Sequence, residues 1–202
     1  MSARSQPYLT PEQYLEIDRA AEFRSEYYKG RMYPLGDPPE AMAGGTYRHS
    51  KLTHSLGRRL GNALEGRPCE VSGSDIRVSS VSGGFYSYPD LVVVWGEPRL
   101  LDGRKDTLLN PALIVEVLSH STEGRDLGLK LAQYRSIESL EEYALVWQTE
   151  PRVEVYRRQP AGRWLLSEFI GLDAVCHFES VNAGISLGEI YDKISFDEGA
   201  EF

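Results

Sequence analysis

The run Pro111-Ala112-Leu113-Ile114-Val115-Glu116-Val117-Leu118-Ser119, read with Pro89-Asp90-Leu91-Val92-Val93-Val94-Trp95, decides the fold. Both are short, rich in β-branched residues and bounded by turn-formers, the pattern of a strand buried on both faces. Each nevertheless carries a carboxylate. In the first run Leu113, Val115 and Val117 point to one side of a sheet, and Ile114, Glu116 and Leu118 to the other. Glu116 is thereby set among core side chains. An unpaired ionised glutamate is very costly there, so Glu116 must be protonated, salt-bridged or bound to a cation. Asp90, at the mouth of the companion strand, makes the cation worth arguing for.

Working outward, the connection from Gly96 to Asn110 is polar and charged. It is long enough for a hairpin loop and short for a packed crossover helix, so an antiparallel pairing of the two runs is expected. Upstream, Thr10-Pro11-Glu12-Gln13 opens a helix to about Ala21 with a capping box, and Lys29-Gly30 turns an aromatic hairpin over Glu26–Tyr33. Thr46 to Leu64 has helical spacing, with Leu52, Leu56, Leu60 and Leu64 on one stripe and Arg48, Lys51, Arg58 and Arg59 mostly off it. Downstream, a helix is predicted from Ser121-Thr122-Glu123 to Ile137, with Leu127, Leu131 and Tyr134 facing inward and Lys130 on the margin of that stripe. Alternating stretches at 143–148, 152–158 and 163–170 read as strands, and 182–192 as a strand and a short helix. The expected class is α/β (α+β): a central mixed sheet flanked by helices, with an additional N-terminal helix and hairpin, in one domain spanning 1–202.

With 22 Lys and Arg against 30 Asp and Glu, the net charge of -8 excludes a general nucleic-acid coater, because such affinity comes from neutralising phosphates. A polyanion must find a local basic patch or come through metal ions. Two cysteines far apart make neither a disulfide framework nor a metal knuckle. No apolar run approaches the ~20 residues of a membrane span, and the first ten residues lack the apolar core of a signal peptide, so a cytoplasmic protein without a membrane partner is expected.

Two hard oxygen ligands on adjacent strands, with positions open to water and phosphate, suit Mg²⁺ or Mn²⁺. A buried acid paired with Lys130 is the structural alternative. Lys130 could reach the carboxylates from the helix and offset charge on a phosphoryl transition state, or pair with Asp126 four residues earlier on the surface. Secondary candidates are Glu26 as an outer ligand or a solvent-facing strand acid, His49 facing the site or capping, Asp75 in the cluster or in a turn, and Tyr134 packing and donating one hydrogen bond near Lys130.

Tyr88-Pro89-Asp90-Leu91-Val92-Val93-Val94, Asn110-Pro111 through Ser119, and then Asp126, Lys130 and Tyr134 resemble the Uma-two family of bacterial proteins, of the PD-(D/E)XK restriction-endonuclease-like superfamily. Leu9–Tyr14, Ser25-Glu26-Tyr27, Ala43–Thr46 ahead of His49, and Ser74–Val78 are further points of likeness. The resemblance implies that Asp90 and Glu116 bind the divalent metal, with the Val117 carbonyl as a further ligand. It also implies a homodimer. The lysine expected two residues after the glutamate is replaced by Leu118, so Lys130 is expected to supply it. The function expected is a metal-dependent nuclease hydrolysing phosphodiester bonds of DNA or RNA, with Arg48, Lys51 and Arg58 on the nucleic-acid backbone. The alternative is a catalytically inactive nuclease-fold protein acting in protein binding or assembly, favoured by the acidic charge and by Leu118.

Overall fold

A computed structural model describes residues 8–35, 46–118 and 126–196. The chain opens with helix α1 (Pro11–Ala20), whose predicted capping box forms: Gln13 N–H donates to Thr10 Oγ1 and Thr10 N–H to Gln13 Oε1. Strands β1 (Ser25–Tyr28) and β2 (Arg31–Pro34) make the hairpin, turned by Lys29 and Gly30 at positive φ. Helix α2 (Tyr47–Ala63) follows, capped by Thr46. Then come β3 (Cys69–Gly73), β4 (Arg77–Ser79), β5 (Phe85–Ser87), β6 (Leu91–Trp95), β7 (Thr107–Leu108) and β8 (Pro111–Leu118). A π-helical turn, Asp126–Lys130, runs into α3 (Leu131–Tyr134). Strands β9 (Glu142–Trp147), β10 (Arg152–Arg158), β11 (Trp164–Ile170), β12 (Val175–Phe178) and β13 (Ala183–Ser186) precede α4 (Leu187–Ile190).

Six strands form the central sheet in the order β11-β10-β9-β8-β6-β3. It is mixed, as expected: β8 pairs antiparallel with β6 and parallel with β9. All eight residues of β8 are buried, which is why its sequence is apolar on both alternations. Leu113, Val115 and Val117 pack with Leu52, Leu56 and Leu60 of α2 on one face, while Ile114 and Leu118 pack with Tyr134, Ile137 and Tyr143 on the other. The leucine stripe of α2 is thus the lid of one core. On the opposite face lies a second sheet not anticipated as separate, in the order β2-β1-β5-β4-β7. Its Val78, Phe85 and Leu108 close the core on the Glu116 side. The Gly96–Asn110 connection contributes β7 to that sheet, parallel to β4.

The helix predicted to reach Ile137 ends earlier, at Tyr134. Past Tyr134 the Arg158 guanidinium donates to the carbonyls of Arg135, Ile137 and Leu140 and so holds the turn that follows the helix. Ile137 is still buried, but in the turn. The predicted helix start at Ser121-Thr122-Glu123, the side chain of Leu127 and the Ala43–Gly45 stretch lie outside the described residues. Among the described residues, no helix is long and apolar enough to cross a membrane.

Candidate active site

Asp90 directly precedes β6, and the β6–β8 register pairs Leu91 with Val115. The ladder therefore delivers Asp90 to the end of β8 that carries Glu116 and Val117. Asp90 Oδ2 accepts the Val117 N–H at 2.7 Å, so a side chain takes over where strand pairing stops. The same oxygen lies 3.1 Å from His49 Nε2, brought in from the first turn of α2, where Thr46 Oγ1 accepts the His49 N–H. Among the described residues, Asp90 Oδ1 has no hydrogen-bond donor.

Glu116 is 4% exposed and its Oε1 accepts two hydrogen bonds, from Lys130 Nζ at 2.9 Å and from the Tyr134 hydroxyl at 2.7 Å. The π-helical turn and α3 carry both donors over the strand, Lys130 as its last residue and Tyr134 one turn later. Lys130 is itself only 7% exposed and lies 3.6 Å from Glu26 Oε1, so its ammonium is buried with the carboxylates, while the side chain of Asp126, the partner its spacing also allowed, lies outside the described residues. Glu26, on β1, is buried rather than solvent-facing and accepts a short hydrogen bond from Ser87 Oγ of β5. Ser87 Oγ is in turn 3.0 Å from the Tyr134 hydroxyl. One ammonium thus faces two carboxylates in a nearly dry pocket, where each charge is strongly felt. Burial, then the Glu116 and Glu26 charges, push the Tyr134 phenol far above its ordinary range, so it stays a neutral donor at any ordinary pH.

The structure thus gathers Glu26, Glu116, Lys130 and Tyr134 around one pocket, with Asp90, Val117 and His49 at the adjoining strand end. It does not gather Asp75, which pairs with Arg24 on the surface, its side chain 91% exposed. Arg48 donates to the carbonyls of Gln148 and Ser195, and Lys51 to that of Lys193, so both grip main chain near the C-terminal end of the described chain. Arg58 is exposed. Ser87 was not foreseen from sequence. Its only signal was a small hydroxyl in the aromatic run Phe85-Tyr86-Ser87-Tyr88 that leads into Pro89-Asp90.

A family model described as "Uma2: Putative restriction endonuclease" matches residues 11–188. The chain belongs to the Uma2 family. Two relatives from Synechocystis sp. bear the names "Uncharacterized protein sll1609" and "Uncharacterized protein slr1290". The first is 36% identical over 170 residues, 84% of this chain and 92% of the relative. The second is 32% identical over 192 residues, 94% and 95% respectively. The fold is similar to a crystal structure from Anabaena variabilis described as "a putative nuclease belonging to DUF820", with a TM-score of 0.70, 17% identity, and coverage of 91% of this chain and 97% of that one. Family and fold together support a nuclease-like function for this Uma2 protein.

The strand end offers carboxylates and a carbonyl, the oxygen donors that a divalent ion takes. Among the described residues no three His, Cys, Asp or Glu side chains cluster as a closed ligand cage. An open set fits instead: a carboxylate oxygen on Asp90 without a donor among the described residues, Glu116 opposite it when the Leu91–Val115 register is continued by one residue, and a backbone carbonyl. Mg²⁺ characteristically binds through one or two carboxylates and keeps several waters, so sparse oxygen ligation of this kind suits it.

Proposed function

We propose that this Uma2 protein is a divalent-metal-dependent nuclease acting on phosphodiester bonds of DNA or RNA, with residues 1–202 working as one domain. Asp90 and Glu116 hold Mg²⁺ or Mn²⁺, with the Val117 carbonyl as a third oxygen. The observation carrying this reading is the Asp90 carboxylate, anchored through Oδ2 by the Val117 N–H and His49 while Oδ1 has no donor among the described residues, at the strand end beside Glu116. Pro89 supports the carbonyl. Continuing the Leu91–Val115 register by two residues sets Pro89 opposite Val117, and proline has no N–H to offer that carbonyl.

When bound, the ion supplies Lewis acidity toward a phosphoryl oxygen. The chain's own residues orient and neutralise. Lys130 holds Glu116 in place through a charge-assisted hydrogen bond, and its ammonium is a positive group at the pocket for a phosphate to meet. The absent lysine at position 118 is answered by Lys130 from the next element, which reaches the same carboxylate. Glu116→Ala is the test: cleavage of a DNA or RNA substrate in Mg²⁺ should fall to background while circular dichroism stays that of the parent. Wild-type cleavage that survives a chelator would overturn the proposal.

A further inference from the structure

Tyr134 does more than fill space. Its ring packs edge-on against Phe85 and Tyr143, with centroids 5.9 and 5.1 Å away, which fixes the direction of its hydroxyl. That hydroxyl donates to Glu116 Oε1 and lies 3.0 Å from Ser87 Oγ, which reaches Glu26 Oε1. Three oxygen links join two carboxylates through two hydroxyls. Both hydroxyl hydrogens are rotors, so the middle link is made by whichever turns away from its carboxylate. Glu26 and Ser87 belong to the second sheet and Glu116 to the first, so the chain of hydroxyls spans the gap between sheets.

We infer that Ser87 and Tyr134 are positioning residues: together they fix the Glu116 carboxylate and tie it to Glu26, so that the second sheet is part of the metal-binding machinery rather than a cover over the core. This rests on the metal reading above. Neither residue would ligate the ion. Partners of this kind fix the orientation of a ligand and raise its basicity, and removing one typically weakens metal binding by about 10- to 100-fold. Serine is required for its hydroxyl, not its volume, so threonine should substitute and alanine should not.

The experiment is Mn²⁺ titration calorimetry on the intact chain, with wild type, Ser87→Ala, Ser87→Thr and Tyr134→Phe, each checked for native circular dichroism. Ser87→Ala and Tyr134→Phe should bind Mn²⁺ about 10-fold or more weakly than wild type, and Ser87→Thr close to wild type. If wild type binds Mn²⁺ and both Ser87→Ala and Tyr134→Phe bind within about twofold of it, the positioning role is wrong and the metal reading stands. A threonine variant as weak as alanine also overturns it, since a merely structural effect of altered packing would then explain both. If wild type itself takes no Mn²⁺, the metal reading fails and this inference falls with it. Should Tyr134→Phe not fold, the serine pair decides alone.

Discussion

Two charge clusters among the described residues are built on opposite plans. In the one under α1, Asp18 is held by four donors: the Ser25 N–H and hydroxyl on Oδ1, and Arg77 Nη1 and the Tyr88 hydroxyl on Oδ2. Arg77 also bridges to Asp106, which accepts two bonds from Arg19. In the other, Asp90 is anchored through one oxygen and leaves the second without a donor among the described residues. A saturated carboxylate has nothing left to give a ligand, whereas an acid pinned through one oxygen is both oriented and available. The difference separates an ion network that joins elements from one arranged for a guest, though both hold acids that a burial scan alone would rank together.

Removing each acid should expose that difference. Asp90→Ala is expected to lower metal-dependent cleavage by about 10³-fold or more, since a lost metal contact removes several kcal/mol of transition-state stabilisation. Its urea unfolding should change by only about 1 kcal/mol, the typical effect of a point mutation. Asp18→Ala should do the reverse. It removes one of the two acids paired with buried Arg77 and strips the Ser25 and Tyr88 donors of their acceptor, so unfolding should become easier by about 3–5 kcal/mol, with any folded fraction retaining its specific activity. If Asp18→Ala proves silent in stability, the contrast collapses.

Much of the active pocket could be read from sequence, for a definite reason. In a strand buried on both faces every position should be apolar, so Glu116 stands out against Val115 and Val117, and Lys130 and Tyr134 stand at helical spacing after it. The Asp18 cluster gave no such signal, because Asp18 sits in an amphipathic helix where an acid is ordinary, and Arg77 meets it across 59 positions. Ser87 was hidden likewise: β5 is three residues long, too short for alternation to declare a strand. Lys51 and Arg48 read as phosphate contacts because helical periodicity shows which face is polar, but not that carbonyls of distant chain already occupy the donors.

Acid titration sharpens the contrast more finely. The hydrogen bonds from Arg19, with the nearby Arg77 charge, hold the Asp106 carboxyl down to about 2 from an ordinary 3.8, against the opposing effect of burial. A lowered folded-state value means its stabilisation is fully present above pH 3.8 and disappears as the pH falls toward 2. Asp106→Asn should therefore lower the melting temperature at neutral pH, with the gap to wild type closing as the pH falls from 3.8 toward 2, so that the acid limb is flatter in that window. The smallest effect belongs to Asp75→Ala. Its ion pair with Arg24 is solvent-exposed, so stability should stay within about 0.5 kcal/mol of the parent and cleavage should be unchanged.

The Val117 amide offers a way to watch the site without an assay. Its proton is committed to a side chain rather than to a neighbouring strand, so its magnetic resonance position reports the Asp90 carboxylate directly. Any cation, phosphate or inhibitor that draws that carboxylate aside lengthens the bond and moves a single, assignable amide peak, while the peaks of Leu113 and Val115, bonded within the sheet, hold still.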